Sequence, residues 1–380
     1  MDIEPNTNNN NEKYQLRTIP CKEYNYNQEI FYLPIRYKPG DLIGSGAYGA
    51  VINAFDNKTN TNIAIKKLKS ITDAVDLKRV LREVMIMKYV QHENIITLYD
   101  VIFHINKNRQ LKKIGDIYLV MEKMDSDLQK IIFSKQELSD DHYQFILYQI
   151  LRAIYYLHSA NIIHRDFKPS NVLINEDCTI KLCDFGMSRN LKENDLTLTE
   201  YVVTRYYRAP EIMLSSHHYS KKIDVWSVGC SFAELLTKKF LFPGENYIAQ
   251  IKLIIEALGS PSEEDLNFIS NDSAKKYVRD LGKIKKKPID KIVNYPYPLA
   301  LDLLDKMLVF NPEKRISIEE ALNHPYLKNI REGIEDPVYK GTLNLDFDYD
   351  NNITVESLVN LLIKEVNSFE SGFIQWFLFK

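Results

Sequence analysis

Cysteine is scarce in this chain: four residues in 380, at positions 21, 178, 183 and 230. They form no C-x-x-C pair and no zinc-ligand spacing, which excludes a disulfide framework and a cysteine-based metal site and fits a reducing compartment. Long apolar runs are missing as well. No stretch approaches the roughly 18 apolar residues of a spanning helix, and the opening MDIEPNTNNNNEKY has no secretory-type apolar segment. Neither sign of charge is in excess, with 49 Lys+Arg against 51 Asp+Glu and a net charge of -2. No overall field therefore points to nucleic acid or to a membrane surface. Internal repeats are absent too. The expectation is a soluble intracellular protein, monomeric, with neither nucleic acid nor lipid as partner.

What is present reads as two or three lobes. Residues 1–28 are rich in asparagine and poor in aliphatic side chains, which predicts a disordered tail. From Tyr37 to Val120 short apolar runs (DLIGSGAYGAV, TNIAIKKL, IITLYDVIF, DIYLVME) alternate with turn clusters and one helical stretch, AVDLKRVLREVMIMKYV. That pattern is a small sheet with a single helix. Beyond Ser126 the period turns helical: HYQFILYQILRAIYYLH is apolar nearly all round, as is Asp224 to Thr237, and such helices belong inside a larger lobe. A linker is expected near Glu122 to Asp125, and a cleft between the lobes is the natural ligand site.

Chemistry-bearing motifs follow one another in order. GSGAYGAV, Gly44 to Val51, is a G-x-G-x-x-G-x-V run whose glycines let backbone amides approach phosphate oxygens without an intervening Cβ. IAIK ends on Lys66, and Glu83 lies in the next helix, where it can pair with that ammonium. HRDFKPSN supplies His164, Arg165, Asp166, Lys168 and Asn171; CDFG supplies Asp184; Ala209-Pro210-Glu211 closes the series. Phosphoryl transfer needs little covalent chemistry from protein. It needs metal to neutralise charge, a cation on the phosphates and a carboxylate that positions the acceptor hydroxyl.

Those motifs, in that order, resemble the eukaryotic protein kinases from about Tyr37 to Leu327. The resemblance implies an α+β bilobal fold: an N-lobe over 29–124, a mainly helical C-lobe over 125–330, and a C-terminal extension over 331–380. It implies ATP and Mg²⁺ as cofactors. Ile43, Gly44, Ser45, Gly46, Ala47, Tyr48, Gly49, Val51 and Ala64 would line the nucleotide, with Met121 as gatekeeper and backbone groups of Glu122 to Met124 meeting the adenine. Lys66, held by Glu83, would bind the α/β-phosphates. Asp166 would accept the substrate hydroxyl proton, Lys168 would steady the transferred group, and Asn171 with Asp184 would hold Mg²⁺. Lys168-Pro169 resembles the serine/threonine pattern. Phe167 stands where the template has leucine, a packing position at which the core can adjust.

TLTEYVVTRYYRAPE, residues 197 to 211, resembles the activation segment of the extracellular-signal-regulated subclass of mitogen-activated protein kinases, with Thr199 and Tyr201 as its phosphorylation sites. EALGSPSEEDLNFISNDSAKKYVRDL, an insertion that cyclin-dependent kinases lack, points the same way. The resemblance implies that Arg82, Arg165 and Arg189 collect a phosphate on Thr199, while Arg205 and Arg208 meet one on Tyr201. It also implies acceptors of Ser/Thr-Pro type, an upstream dual-specificity MAP kinase kinase, phosphatases as regulators, and residence in cytoplasm and nucleus. Asp346, Asp348 and Asp350 would form an acidic docking patch for basic peptides, although Asn351 replaces an aspartate that relatives usually have. Val355, Leu358, Val359, Leu362 and Val366 share one helical face, and the apolar end GFIQWFLFK is expected to pack on the body. Two other readings stand beside this one: a docking scaffold or pseudokinase, and a self-activating kinase of a neighbouring branch. Lys66, Asp166 and Asp184 are all present, which argues against the first; the Thr-Glu-Tyr lip argues against the second.

Overall fold

The computed structural model describes residues 17–378 apart from 27–28, 47–48, 69–70, 72, 106–115, 192–204, 215–219 and 370–371. The chain divides into two compact units, one of residues 1–88, 96–123 and 346–380 and the other of 89–95 and 124–345.

The first unit is built on seven strands in chain order, β1 (Arg17–Tyr26), β2 (Glu29–Pro34), β3 (Tyr37–Gly46), β4 (Gly49–Asp56), β5 (Thr61–Leu68), β6 (Leu98–Ile105) and β7 (Ile117–Glu122). Alternation in β4 is strict, with Ala50, Ile52, Ala54 and Asp56 buried, as a strand with one face in a core requires. Phe31 and Leu33 of β2 and Cys21 of β1 join Ile52, Ile65, Tyr118 and Val120 in one apolar cluster. At about 2 kcal/mol for each large apolar side chain, that burial holds down residues the composition marked as tail. Residues 17–26 are therefore a strand, paired antiparallel with β2 from Cys21 opposite Pro34 to Tyr26 opposite Glu29; asparagine enrichment masked an alternating segment that has a partner. Helix α1 (Ala74–Tyr89) starts where Asp73 accepts the amides of Val75 and Asp76, each at 2.9 Å, a cap typical of helix N-termini.

The second unit is mainly helical. Its central helices are α2 (Asp140–Ser159), capped by Ser139 and His142 in a reciprocal box, and α3 (Lys222–Thr237), buried from Ile223 through Leu235. Short strand pairs, 172–174 with 180–182 and 162–163 with 189–190, frame the polypeptide that carries the catalytic motifs. Glu211, at the end of the Ala-Pro-Glu motif, is locked by Arg315: Nη1 and Nη2 donate to its two carboxylate oxygens at 2.7 and 2.9 Å, and both side chains are buried.

Residues 331–345 of the extension belong to the second unit and residues 346–380 to the first. The extension forms α4 (Val355–Val366) and a last strand, β8 (Gly372–Leu378). Of the predicted apolar face, Leu358, Val359, Leu362 and Val366 are buried with Ile363, while Val355 is exposed. β8 runs parallel to both β1 and β6 and completes a sheet in the order β2-β1-β8-β6-β7-β5-β4-β3. The apolar end is thus an integral strand.

Arg315→Met leaves the Glu211 carboxylate buried without its cation and is expected to cost on the order of 3–5 kcal/mol. The double change Arg315→Met/Glu211→Met is expected to cost less than Arg315→Met alone. Chemical denaturation of the three proteins side by side checks both expectations.

Candidate active site

In the first unit, the glycines of the motif lie at the end of β3 and the start of β4. Gly49 has φ 143°, and a Cβ there would come within 1.9 Å of the Lys67 carbonyl, so only glycine fits. Gly44 and Gly46 have room around them; their lack of a side chain is not needed for folding. Ala47 and Tyr48 lie outside the described residues. Ile43 is exposed and Val51 half-buried on the flanking strands, while Ala64 of β5 lies opposite Met121 of β7 in the ladder, both buried. Two residues further along β5, the Lys66 ammonium donates to Glu83 Oε1 of α1 at 2.7 Å, with the side chains 14% and 7% exposed. The Glu122 N–H donates to the Thr97 carbonyl at 3.0 Å.

In the second unit the catalytic loop hangs from one carboxylate. Asp224 of α3 accepts the backbone N–H of His164 at 2.9 Å through Oδ2 and that of Arg165 at 3.0 Å through Oδ1, and Oδ2 also meets His158 Nε2 at 2.9 Å. Burial works against the charge on Asp224; the His158 and His164 imidazoles and the backbone donors outweigh it and hold the carboxyl below its usual range. Held in this way, Arg165 adopts φ 66°, and Asp184 adopts φ 64°. Left-handed backbone at two non-glycine residues is a strain that surrounding structure must sustain.

The loop delivers Asp166 into a buried polar cluster. Lys168 Nζ donates to Asp166 Oδ2 at 2.9 Å, and Asn171 Nδ2 donates to the Asp166 carbonyl at 2.9 Å and to Oδ2 at 3.3 Å. Burial pushes the Asp166 carboxyl above the usual range; Lys168 and His164 oppose that push, and Asp184 adds to it. The Cys183 amide donates to the Asn171 carbonyl at 3.0 Å, which sets Asp184 beside the asparagine. With its amide nitrogen committed to Asp166, Asn171 retains its amide oxygen as a donor atom for a cation, and Asp184 supplies a carboxylate. Two hard oxygen donors suit Mg²⁺, which takes its other ligands from phosphates and water. Phe167 is buried, edge-on to His164 at 6.2 Å between ring centroids, and His164 is in turn edge-on to Phe185 at 5.5 Å.

The predicted phosphate-binding arginines separate into groups. Arg165 Nη1 donates to the Met187 carbonyl at 3.3 Å, and Arg189 is paired through the backbone with Ile163, so these two are neighbours. Arg205 donates to the Glu245 carbonyl at 2.6 Å, and Arg208 lies over the Tyr247 ring at 5.4 Å and bonds its hydroxyl. Thr199 and Tyr201 fall outside the described residues. Arg82 is elsewhere engaged: its Nε and Nη2 donate to the two oxygens of Asp348, each at 2.7 Å. That pair corrects one expectation: the Asp348 carboxylate, fully buried, is not a docking charge. Asp346 and Asp350 are exposed.

Several working residues carry no mark in the familiar motifs. Asp224, Ser227 and Glu234 form a polar stripe on the otherwise apolar α3: Ser227 Oγ donates to the Tyr207 carbonyl at 2.8 Å and the Tyr207 hydroxyl donates to Glu234 Oε2 at 2.6 Å. Burial raises the Glu234 carboxyl to about 7 despite that hydroxyl. His158, also outside those motifs, braces Asp224. The signal was legible as charged and hydroxyl residues recurring at three- and four-residue intervals in a helix too apolar to be a surface one.

Each unit thus carries part of the candidate set of side chains, and comparison with known proteins gives the class. A protein kinase domain model matches residues 37–327. Mitogen-activated protein kinase 6 of Arabidopsis thaliana is 44% identical over 356 residues, covering 93% of this chain and 88% of that protein. Mitogen-activated protein kinase homolog NTF6 of Nicotiana tabacum is 43% identical over 370 residues, with coverage of 96% and 98%. Extracellular signal-regulated kinase 1 of Dictyostelium discoideum is 44% identical over 355 residues, 89% of this chain and 66% of that one. The chain belongs to the mitogen-activated protein kinases, within the serine/threonine protein kinases.

Burial raises the Asp166 pKa, so transfer that uses its carboxylate is expected to fall on acidification at a pH above the ordinary aspartate range. Lys168→Ala removes a cation that lowers that pKa, so the acid limb of the kcat/KM profile is expected to move further up in pH. Profiles of the two proteins on one peptide check the sign.

Proposed function

We propose that this kinase transfers the γ-phosphoryl group of ATP to Ser or Thr followed by proline, and that phosphorylation of Thr199 and Tyr201 by a dual-specificity MAP kinase kinase switches it on. The observation that carries the catalytic part is the Asp166 carboxylate, buried and bracketed by Lys168 and Asn171. Bound Mg²⁺ would supply charge neutralisation between the β- and γ-phosphates. Lys66, oriented by Glu83, takes α/β-phosphate oxygens; Asp166 accepts the hydrogen bond of the attacking hydroxyl and then its proton; Lys168 steadies the charge on the group in flight. Asn171 and Asp184 are the residues that would hold the metal.

For regulation, a phosphate on Thr199 would bring about -1.5 to -2 charge and three acceptor oxygens to the neighbouring Arg165 and Arg189. Arg82, engaged by Asp348, does not enter that cluster in this reading. Phosphate on Tyr201 would draw Arg205 and Arg208 from their present partners, and the lip around Arg205 would favour an acceptor followed by a residue without an N–H. The family names of the relatives support protein substrates and an upstream kinase; the acceptor preference and the double phosphorylation are this reading's own additions.

The test is transfer from Mg·ATP to a Ser-Pro peptide and to its Ser-Ala counterpart, by protein shown by mass to carry both phosphates and by its phosphatase-treated form. The Ser-Pro peptide and the doubly phosphorylated protein are expected to give the high rate. Asp166→Asn is expected to lower kcat by about 10²–10⁴-fold. Thr199→Ala/Tyr201→Phe is expected to bind ATP and resist activation. Equal rates from the two forms would sink the switch, and full activity in Asp166→Asn would sink the mechanism.

A further inference from the structure

We propose that Asp348, in the C-terminal extension, is a positioning residue for the phosphate-binding Lys66, acting through Arg82 and the helix they share with Glu83. Arg82 and Glu83 are consecutive on α1 and turned to different partners: Glu83 to Lys66 at 2.7 Å, Arg82 to Asp348 through two bonds of 2.7 Å. The Arg82–Asp348 side chains are 4% and 0% exposed. A buried pair of this kind brings little net stability, because desolvation offsets most of the attraction. Its two parallel bonds instead fix a plane and a direction, as a fork meeting a carboxylate does. The pair is therefore better suited to setting where α1 sits than to holding the unit together.

Two further contacts reach α1 from the same extension. Lys78, one turn before Arg82, donates to the carbonyls of Asp350 at 2.9 Å and Asp348 at 3.4 Å. Lys88, in the last turn, donates to Glu365 Oε2 at 2.6 Å and to its carbonyl at 3.2 Å. Beginning, middle and end of the helix are thus tied to residues 348–365, which are themselves anchored by the buried face of α4. Only the middle tie adjoins the residue that aims Lys66. Since neighbouring residues of a helix move together, a displacement of α1 at Arg82 is a displacement of the Glu83 carboxylate, and an error of about 1 Å in a positioning group can cost up to about 10²-fold.

The inference takes ATP as the phosphoryl donor, and its test separates the two ideas. Binding of a fluorescent ATP analogue to the unaltered protein tests the donor; failure there rejects the donor alone. In Asp348→Asn, the dissociation constant of that analogue and the KM for ATP are expected to rise about tenfold or more. The KM for the peptide is expected to stay unchanged and kcat to fall less than the KM rises. Asp348→Glu, which keeps both oxygens and the charge, is expected to recover most of the loss. In nucleotide-free protein, amide hydrogen exchange over residues 77–88 is expected to quicken in Asp348→Asn. In a Glu83→Gln background, where Lys66 has lost its guide, Asp348→Asn is expected to leave nucleotide affinity where it was. Should Asp348→Asn not fold, Arg82→Lys tests the same link, since it keeps the charge and loses the fork. Unchanged affinity in whichever of these two variants folds overturns the proposal, and so does an equal further loss in the Glu83→Gln background, which would mark Asp348 as part of the fold and nothing more.

Discussion

The catalytic half of this molecule depends on the carboxylate of Asp224. It sits at the start of a helix that is apolar on almost every side, has no exposure of its own, and accepts two consecutive backbone amides from the loop that carries Asp166. A loop of irregular backbone beside a core would otherwise leave those amides unsatisfied, at a cost of about 1–3 kcal/mol each. With them satisfied, Arg165 can adopt its left-handed conformation and the following residue, Asp166, enters its cluster with Lys168 and Asn171. Further along the same helix Ser227 and Glu234 hold Tyr207, in the segment that carries Arg205 and Arg208. One helix thus supports both the loop that carries Asp166 and the chain at Tyr207.

The same logic holds in the first unit with a different anchor. Lys66 belongs to a central strand with neighbours on either side, so its backbone is fixed by the ladder. Its ammonium donates to Glu83, and Glu83 moves with α1. A central strand is a rigid support, whereas a single helix on a small sheet owes its placement to side-chain contacts. The contacts that place it come largely from residues far away in sequence.

That distance explains which parts could be read from sequence. The glycine motif, the lysine, the His-Arg-Asp run and the Asp-Phe-Gly run are local motifs whose residue types suit the chemistry of phosphate, so these candidate site residues could be named from sequence. The β-rich and helical character of the two units was legible from hydrophobic period. What was not legible depends on partners brought together by the fold. Residues 17–26 looked like tail because their strand partners, β2 and β8, are identified only once the sheet exists. Asp348 looked like surface charge because acidic residues in a polar run usually are; its burial requires Arg82, 266 positions earlier in the chain. Asp224 and His158 lay in apolar helices where a period-based reading treats every residue as packing.

The parallel placement of β8 between β1 and β6 has a bearing on how the protein is made. The first unit is assembled from three separated stretches of chain, and the last of them is synthesised after the whole helical unit. Until it emerges, the β6 edge lacks its neighbour and the Arg82 guanidinium lacks the anion that accompanies its burial. At about 5–20 residues per second, the 266 residues between Arg82 and Asp348 take roughly 13–50 s to translate. During that interval the growing polypeptide carries an open strand edge of the kind that recruits other chains, so a holding chaperone acting on the nascent protein has a defined surface to cover and a defined moment to leave.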